Sequence, residues 1–109
     1  MKLEVKNLVK KFKTTIAVNN ISLTIEKNKT LGLLGPNGCG KTTSIGMMLG
    51  LITPSSGQVL INEVVFEEKN KIQFLSMMNF ASPYIELPKK LTVKQNLEVY
   101  ARLYGVKKI

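Results

Sequence analysis

Apolar and polar positions along the chain alternate in two different rhythms, and the change from one to the other outlines the fold. Leu3, Val5 and Leu8, separated by polar residues, predict a first strand that ends near Lys10-Lys11. Ile21, Leu23 and Ile25 alternate with Ser22, Thr24 and Glu26, the period of a half-buried strand. These two read as neighbours in an antiparallel sheet with one wet face. Thr30-Leu31-Gly32-Leu33-Leu34 is a near-continuous apolar run, as expected of a strand covered on both faces. From about Lys41 the rhythm becomes helical, with Ile45, Met48, Leu49 and Ile52 on one face, Met47 and Met48 filling the core and Pro54-Ser55-Ser56-Gly57 as the stop. Val59-Leu60-Ile61 predicts a brief strand and Ile72 to Phe80 another, followed by a loop from Ala81 to Lys90 that holds Pro83 and Pro88. Thr92 and Gln95 have the spacing of a capping box, Val93, Leu97, Tyr100, Ala101 and Tyr104 line one helical face, and Gly105 suits the helix end.

Composition narrows the classes without choosing one. A chain of 109 residues with 44% hydrophobic content is one small domain or part of a larger one, and is not a disordered chain. The N-terminal residues alternate apolar and charged, so no secretory leader is expected; the longest apolar run, Ile45 to Ile52, falls far short of the ~18 residues of a membrane span. One cysteine, Cys39, excludes an internal disulfide and fits a reducing compartment. Sixteen Lys and Arg against 7 acidic residues give a net charge of +9, attractive to phosphates, nucleic acid or anionic lipid. The lysines are scattered in short pairs, which fits a solvated surface better than a nucleic-acid footprint. The chain has no histidine and no aspartate, so any chemistry it supports proceeds without those side chains or borrows them.

One segment carries specific chemistry. Gly35-Pro36-Asn37-Gly38-Cys39-Gly40-Lys41-Thr42 matches G-x-x-x-x-G-K-[ST] at every required position. Glycines allow the turns that present successive backbone N–H groups to phosphate oxygens. Lys41 brings a point charge to the β- and γ-phosphates, Thr42 brings a hydroxyl to Mg²⁺, and the helix that follows adds its positive end. A buried-type strand before the loop and a helical pattern after it are the flanks the motif requires. Cys39 reads as a small side chain tolerated beside a binding backbone, with a redox switch as the alternative.

The wording from Leu31 to Thr43 resembles the Walker A segment of ABC transporter ATPase subunits, G-P-N-G-x-G-K-T-T. Three further segments match in order: Val18 to Ile25 is similar to that family's second strand, Gly50 to Gly57 to its G-L-x-x-P-x-x-G turn, and Leu91 to Leu97 to the L-T-V-x-E-N-L that opens its helical subdomain. The resemblance implies an α/β fold: a P-loop NTPase core portion with the antiparallel β-subdomain of ABC ATPases. Residues 1–109 would form the N-terminal part of one such domain, with the helical subdomain beginning near 92. It implies ATP and Mg²⁺ as ligands, held by Gly35, Pro36, Asn37, Gly38, Cys39, Gly40, Lys41, Thr42 and Thr43, with Thr42 on the metal. It gives Phe12 the place of the aromatic that stacks on adenine; packing against the sheet edge is the alternative role.

Two departures from the family pattern stand out. No glutamine occupies the Q-loop position before Leu91, where Ser82 is the nearest candidate metal ligand. The L-S-G-G-Q signature, the Walker B Asp-Glu, the D-loop and the switch histidine are absent, so no complete catalytic set is expected. Val59-Leu60-Ile61-Asn62-Glu63 copies a strand ending in a carboxylate but matches the family's small antiparallel strand instead. The implied partners are a membrane-spanning transporter subunit and a second ATP-binding subunit, with the chain peripheral at the cytoplasmic face of the cell membrane. The segment from Ala81 to Gly105 looks more like exporters than nutrient importers. A soluble ABC protein acting on ribosomes or nucleic acid, and a truncated nucleotide-binding product without catalysis, are the other classes. Uncovered apolar faces predict marginal folding or self-association.

Overall fold

The computed structural model describes residues 1–34, 40–81 and 87–108. Chain contacts divide it into two compact units, Met1–Met77 and Met78–Ile109. The first unit is built on strand β1 (Leu3–Phe12) and strand β2 (Thr15–Ile25), followed by helix α1 (Lys41–Met48). Strands β3 (Ser56–Ile61) and β4 (Val64–Val65) and helix α2 (Lys71–Leu75) complete it. The second unit carries helix α3 (Val93–Leu103).

The four strands form one antiparallel sheet in the order β2-β1-β3-β4. The spacing of Val5 and Leu8 breaks a period of two, yet both side chains are buried. A bulge restores the phase: the register of β1 shifts between Val5 and Leu8 against β2, and between Lys6 and Val9 against β3. Asn7 turns through it at φ 50°, a conformation asparagine tolerates. Ser22 Oγ accepts from its N–H at 2.9 Å. On the other flank the chain passes so close that a Cβ on Gly57 (φ +84°) would collide with the Asn7 carbonyl. Asn62 and Glu63, at φ 51° and 69°, form the tight turn between β3 and β4. The strand expected over residues 59–63 therefore ends at Ile61, and Glu63 lies in the turn that follows it.

The core of this unit is Val5, Leu8 and Val59 from the sheet centre, Val18 from β2, and Met47 and Met48 from α1. Burying such side chains is worth about 1.5–3 kcal/mol each. The α1 face differs from the predicted one. The helix ends at Met48, and the N–H groups of Leu51 and Ile52 both fold back onto the Gly46 carbonyl, at 2.9 and 3.2 Å. Ile52 thus covers Gly46 from outside the helix, and the buried α1 residues are Ser44, Gly46, Met47 and Met48.

Two predicted strands do not form. Residues 30–34 are not extended into a sheet, because none of the four strands runs beside them to accept their hydrogen bonds, and Leu34 is 96% exposed. Residues 72–80 were expected as a strand, but residues 71–75 form α2 instead. The reason is local: Asn70 Oδ1 accepts from Glu67 N–H at 2.9 Å while its Nδ2 donates to the Val65 carbonyl at 2.7 Å, winding the chain into a 3₁₀ turn, Glu68–Asn70, that runs into the helix. Phe74 is then buried edge-on against Phe66, ring centres 6.1 Å apart, and Ile72 faces solvent.

In the second unit the predicted capping box is present. Thr92 N–H donates to Gln95 Oε1 at 2.9 Å, and Gln95 N–H donates to Thr92 Oγ1 at 3.1 Å. Gly105 (φ +79°) closes the other end, with its N–H on the Arg102 carbonyl and that of Val106 on Ala101. Asn96 is buried and donates to the carbonyls of Pro88 and Thr92, at 3.2 and 3.1 Å, tying the preceding loop to the helix.

Candidate nucleotide site

Of the residues singled out for phosphate binding, Gly40, Lys41, Thr42 and Thr43 are described; Gly35, Pro36, Asn37, Gly38 and Cys39, and the candidate metal ligand Ser82, lie outside the described residues. Gly40 stands immediately before α1 at φ +95°, a left-handed conformation that is costly for a residue with a side chain. Space enforces the same choice. A Cβ here would run into the Ala17 carbonyl and come within 3.3 Å of Val18 Cγ2. The end of the motif is therefore seated on β2, and only glycine fits the seat.

Among the described residues no side chain caps the N-terminus of α1, and its first turn contains no acidic residue. Its eight residues begin with Lys41, half-buried, Thr42, exposed, and Thr43, half-buried. A helix start left without a capping side chain directs backbone N–H groups and the positive end of the dipole outward, the arrangement that holds anions. Ser44, one residue on, is buried, and its hydroxyl has no hydrogen-bond partner among the described residues.

Phe12 closes β1 and is 46% exposed, opposite Thr15 at the β1–β2 hairpin. Two residues back, Lys10 pairs across the sheet with Val18, the residue that packs beside Gly40. Phe12 and the seat of Gly40 therefore belong to one hairpin, about two strand residues (~7 Å) apart along it. Lys10 Nζ lies 5.1 Å from the centre of the Phe12 ring and donates to the Thr53 carbonyl at 2.7 Å. The sequence pattern did not single out Lys10, Ala17 or Val18 as site residues. Their role depends on the pairing of β1 with β2 and the packing of β2 on Gly40, and no local motif encodes those contacts.

A cavity of about 620 Å³ lies elsewhere in the first unit, among Met47, Ile52, Val59, Phe66 and Lys71. It is lined by none of Phe12, Gly40, Lys41, Thr42 or Thr43, so it is separate from the site just described. Among the described residues no cluster of three or more His, Cys, Asp or Glu could hold a metal ion.

Comparison with known proteins decides the family. The ABC transporter family model matches residues 18–108. This chain belongs to the ABC transporter ATP-binding family. A zinc import ATP-binding protein, ZnuC, of Rickettsia conorii is 40% identical over 99 residues, covering 91% of this chain and 39% of its own length. YbhF of Escherichia coli, named a probable multidrug ABC transporter ATP-binding protein, is 34% identical over 105 residues, covering 96% of this chain and 18% of its own. The solved structure of an ATP-binding subunit of an ABC transporter superposes with a TM-score of 0.85 at 24% identity, over 99% of this chain and 45% of that one, which shows the fold. The chain thus has the α/β, P-loop NTPase fold of ABC ATPase nucleotide-binding domains and spans less than half the length of these relatives. Among the described residues no helix is long and apolar enough to cross a membrane.

Proposed function

We propose that this chain is the nucleotide-holding N-terminal part of an ABC transporter ATP-binding subunit, with residues 1–109 as one incomplete ATPase domain. In this reading the loop from Gly35 to Thr43 cradles the phosphates of Mg-ATP, Lys41 neutralises their charge, Thr42 faces the Mg²⁺, and Phe12 stacks on the adenine. One observation carries it: α1 begins at Gly40 and Lys41 with no side-chain cap among the described residues, on a seat in β2 that excludes any residue but glycine. The donor set suits the ligand, since backbone N–H groups, an ammonium and hydroxyls are what a magnesium-bound polyphosphate takes up. Bound Mg²⁺ would spread the phosphate charge; the chain's own residues bind and orient.

A chain without aspartate or histidine has no Walker B carboxylate and no switch histidine, so the 109 residues hold ATP without turning it over appreciably. Membership of the family also points to a membrane-spanning transporter subunit and a second ATP-binding subunit as partners, with the chain peripheral at the cytoplasmic face of the membrane. Export is favoured by the wording of residues 81–105 and by the multidrug relative; the zinc-import relative is the counterweight. Calorimetric titration of the purified chain with Mg-ATP, together with a phosphate-release assay, tests the proposal. Saturable binding that is lost in Lys41→Ala, with negligible phosphate release, is the expected result. Sustained Mg-dependent hydrolysis abolished by Lys41→Ala refutes the holding role. A salt-dependent shift with RNA and no ATP binding moves the chain to the nucleic-acid class.

A further inference from the structure

We infer that Lys10 is a positioning residue for the nucleotide base, acting through Phe12; the inference rests on the nucleotide reading above. Phe12 sits at the exposed end of β1, where a side chain would ordinarily sample several orientations. The Lys10 ammonium stands over its ring at 5.1 Å, within the range of a cation–π contact. Lys10 is itself held, because Nζ donates to the Thr53 carbonyl at 2.7 Å in the segment between α1 and β3. The chain of contacts therefore runs from Thr53 through Lys10 to one face of the phenyl ring.

Two consequences follow for a ligand. With one face occupied by the ammonium, the opposite face is the one left for a flat partner, so the ring offers a single stacking surface of defined orientation. Ordering the ring before the ligand arrives removes part of the entropy that stacking would otherwise cost. The ammonium also draws π density toward itself, leaving the far face electron-poor, and an electron-rich purine stacks on such a face better than a pyrimidine does. Lys10 touches no phosphate in this scheme. Its effect is confined to the base.

That confinement provides the test. Affinities of the full chain for ATP, CTP and inorganic tripolyphosphate are measured by titration for the wild type, Lys10→Gln, Lys10→Arg, Phe12→Ala and Lys10→Gln/Phe12→Ala. Lys10→Gln keeps a donor for Thr53 while removing the charge, and Lys10→Arg keeps both charge and donor. The expected result is that Lys10→Gln binds ATP about threefold to fivefold more weakly and narrows the preference for ATP over CTP. Tripolyphosphate affinity stays unchanged, Lys10→Arg restores ATP binding, and the double variant is no weaker than Phe12→Ala alone. Equal loss of ATP and tripolyphosphate affinity, or an ATP affinity untouched by Lys10→Gln while Phe12→Ala lowers it, overturns the inference and leaves the nucleotide reading standing. A wild-type chain that binds no ATP overturns both.

Discussion

Helices α1 and α3 belong to different units and are stabilised by opposite means. α3 is specified by its own sequence: a reciprocal Thr92–Gln95 capping box at one end, Gly105 in a left-handed turn at the other, and Asn96 pinning the preceding loop. Its apolar face is nevertheless open, with Val93, Leu97 and Leu103 well exposed. α1 is the reverse. No side chain among the described residues caps its start, its first turn has no acidic residue, and it is held by burying Ser44, Gly46, Met47 and Met48 against the sheet. A helix meant only to be stable would be capped. A glycine N-cap such as Gly40 in place of Ser, Thr, Asn or Asp gives up only about 0.3 kcal/mol, and in the proposed reading it leaves the first N–H groups of α1 to an anion.

The contrast can be broken most severely at Gly57. Gly57→Ala places a methyl group against the Asn7 carbonyl where β1 bulges and demands a positive φ, so the first unit should lose about 3 kcal/mol in a denaturant titration. Amide exchange in the first turn of α3 should change far less, since its caps lie within the second unit. A variant as stable as the wild type would show that the bulge is not the keystone of the sheet.

A smaller effect is expected at the α3 cap. Thr92→Ala removes the acceptor for Gln95 N–H and should cost about 1 kcal/mol, seen as faster amide exchange at residues 93–96. ATP affinity should be unaffected. Ser44→Ala tests the α1 side with the opposite sign. The Ser44 hydroxyl is buried without a partner among the described residues, so its removal should raise the melting temperature by the equivalent of about 1 kcal/mol. Destabilisation there would mean that the hydroxyl is engaged in solution.

How much of this was legible in the sequence depended on whether the determining contacts were near or far along the chain. The α3 cap and its C-terminal glycine are encoded within a few residues, and they appear where the pattern put them. Leu31 to Leu34 has the composition of a buried strand, but a strand exists only with a neighbour, and none of the four in the sheet runs beside it. Residues 72–80 failed for a different reason. The side-chain bonds of Asn70 to Glu67 and Val65 commit the chain to a turn that apolar spacing does not register. In the candidate site the helix start at Lys41 was readable from the apolar spacing. The seat on Ala17 and Val18, and the lysine over Phe12, arise from strand register and could not be read from any local segment.

The central claim is that α1 is left uncapped for a nucleotide phosphate whereas α3 is not. Hydrogen–deuterium exchange of the purified chain, with and without Mg-ATP, compares the two helices in one experiment. The account predicts that Mg-ATP slows exchange across residues 40–44, leaves residues 93–96 unchanged, and has no effect in Lys41→Ala. Unaltered exchange at the start of α1 under saturating Mg-ATP would contradict it.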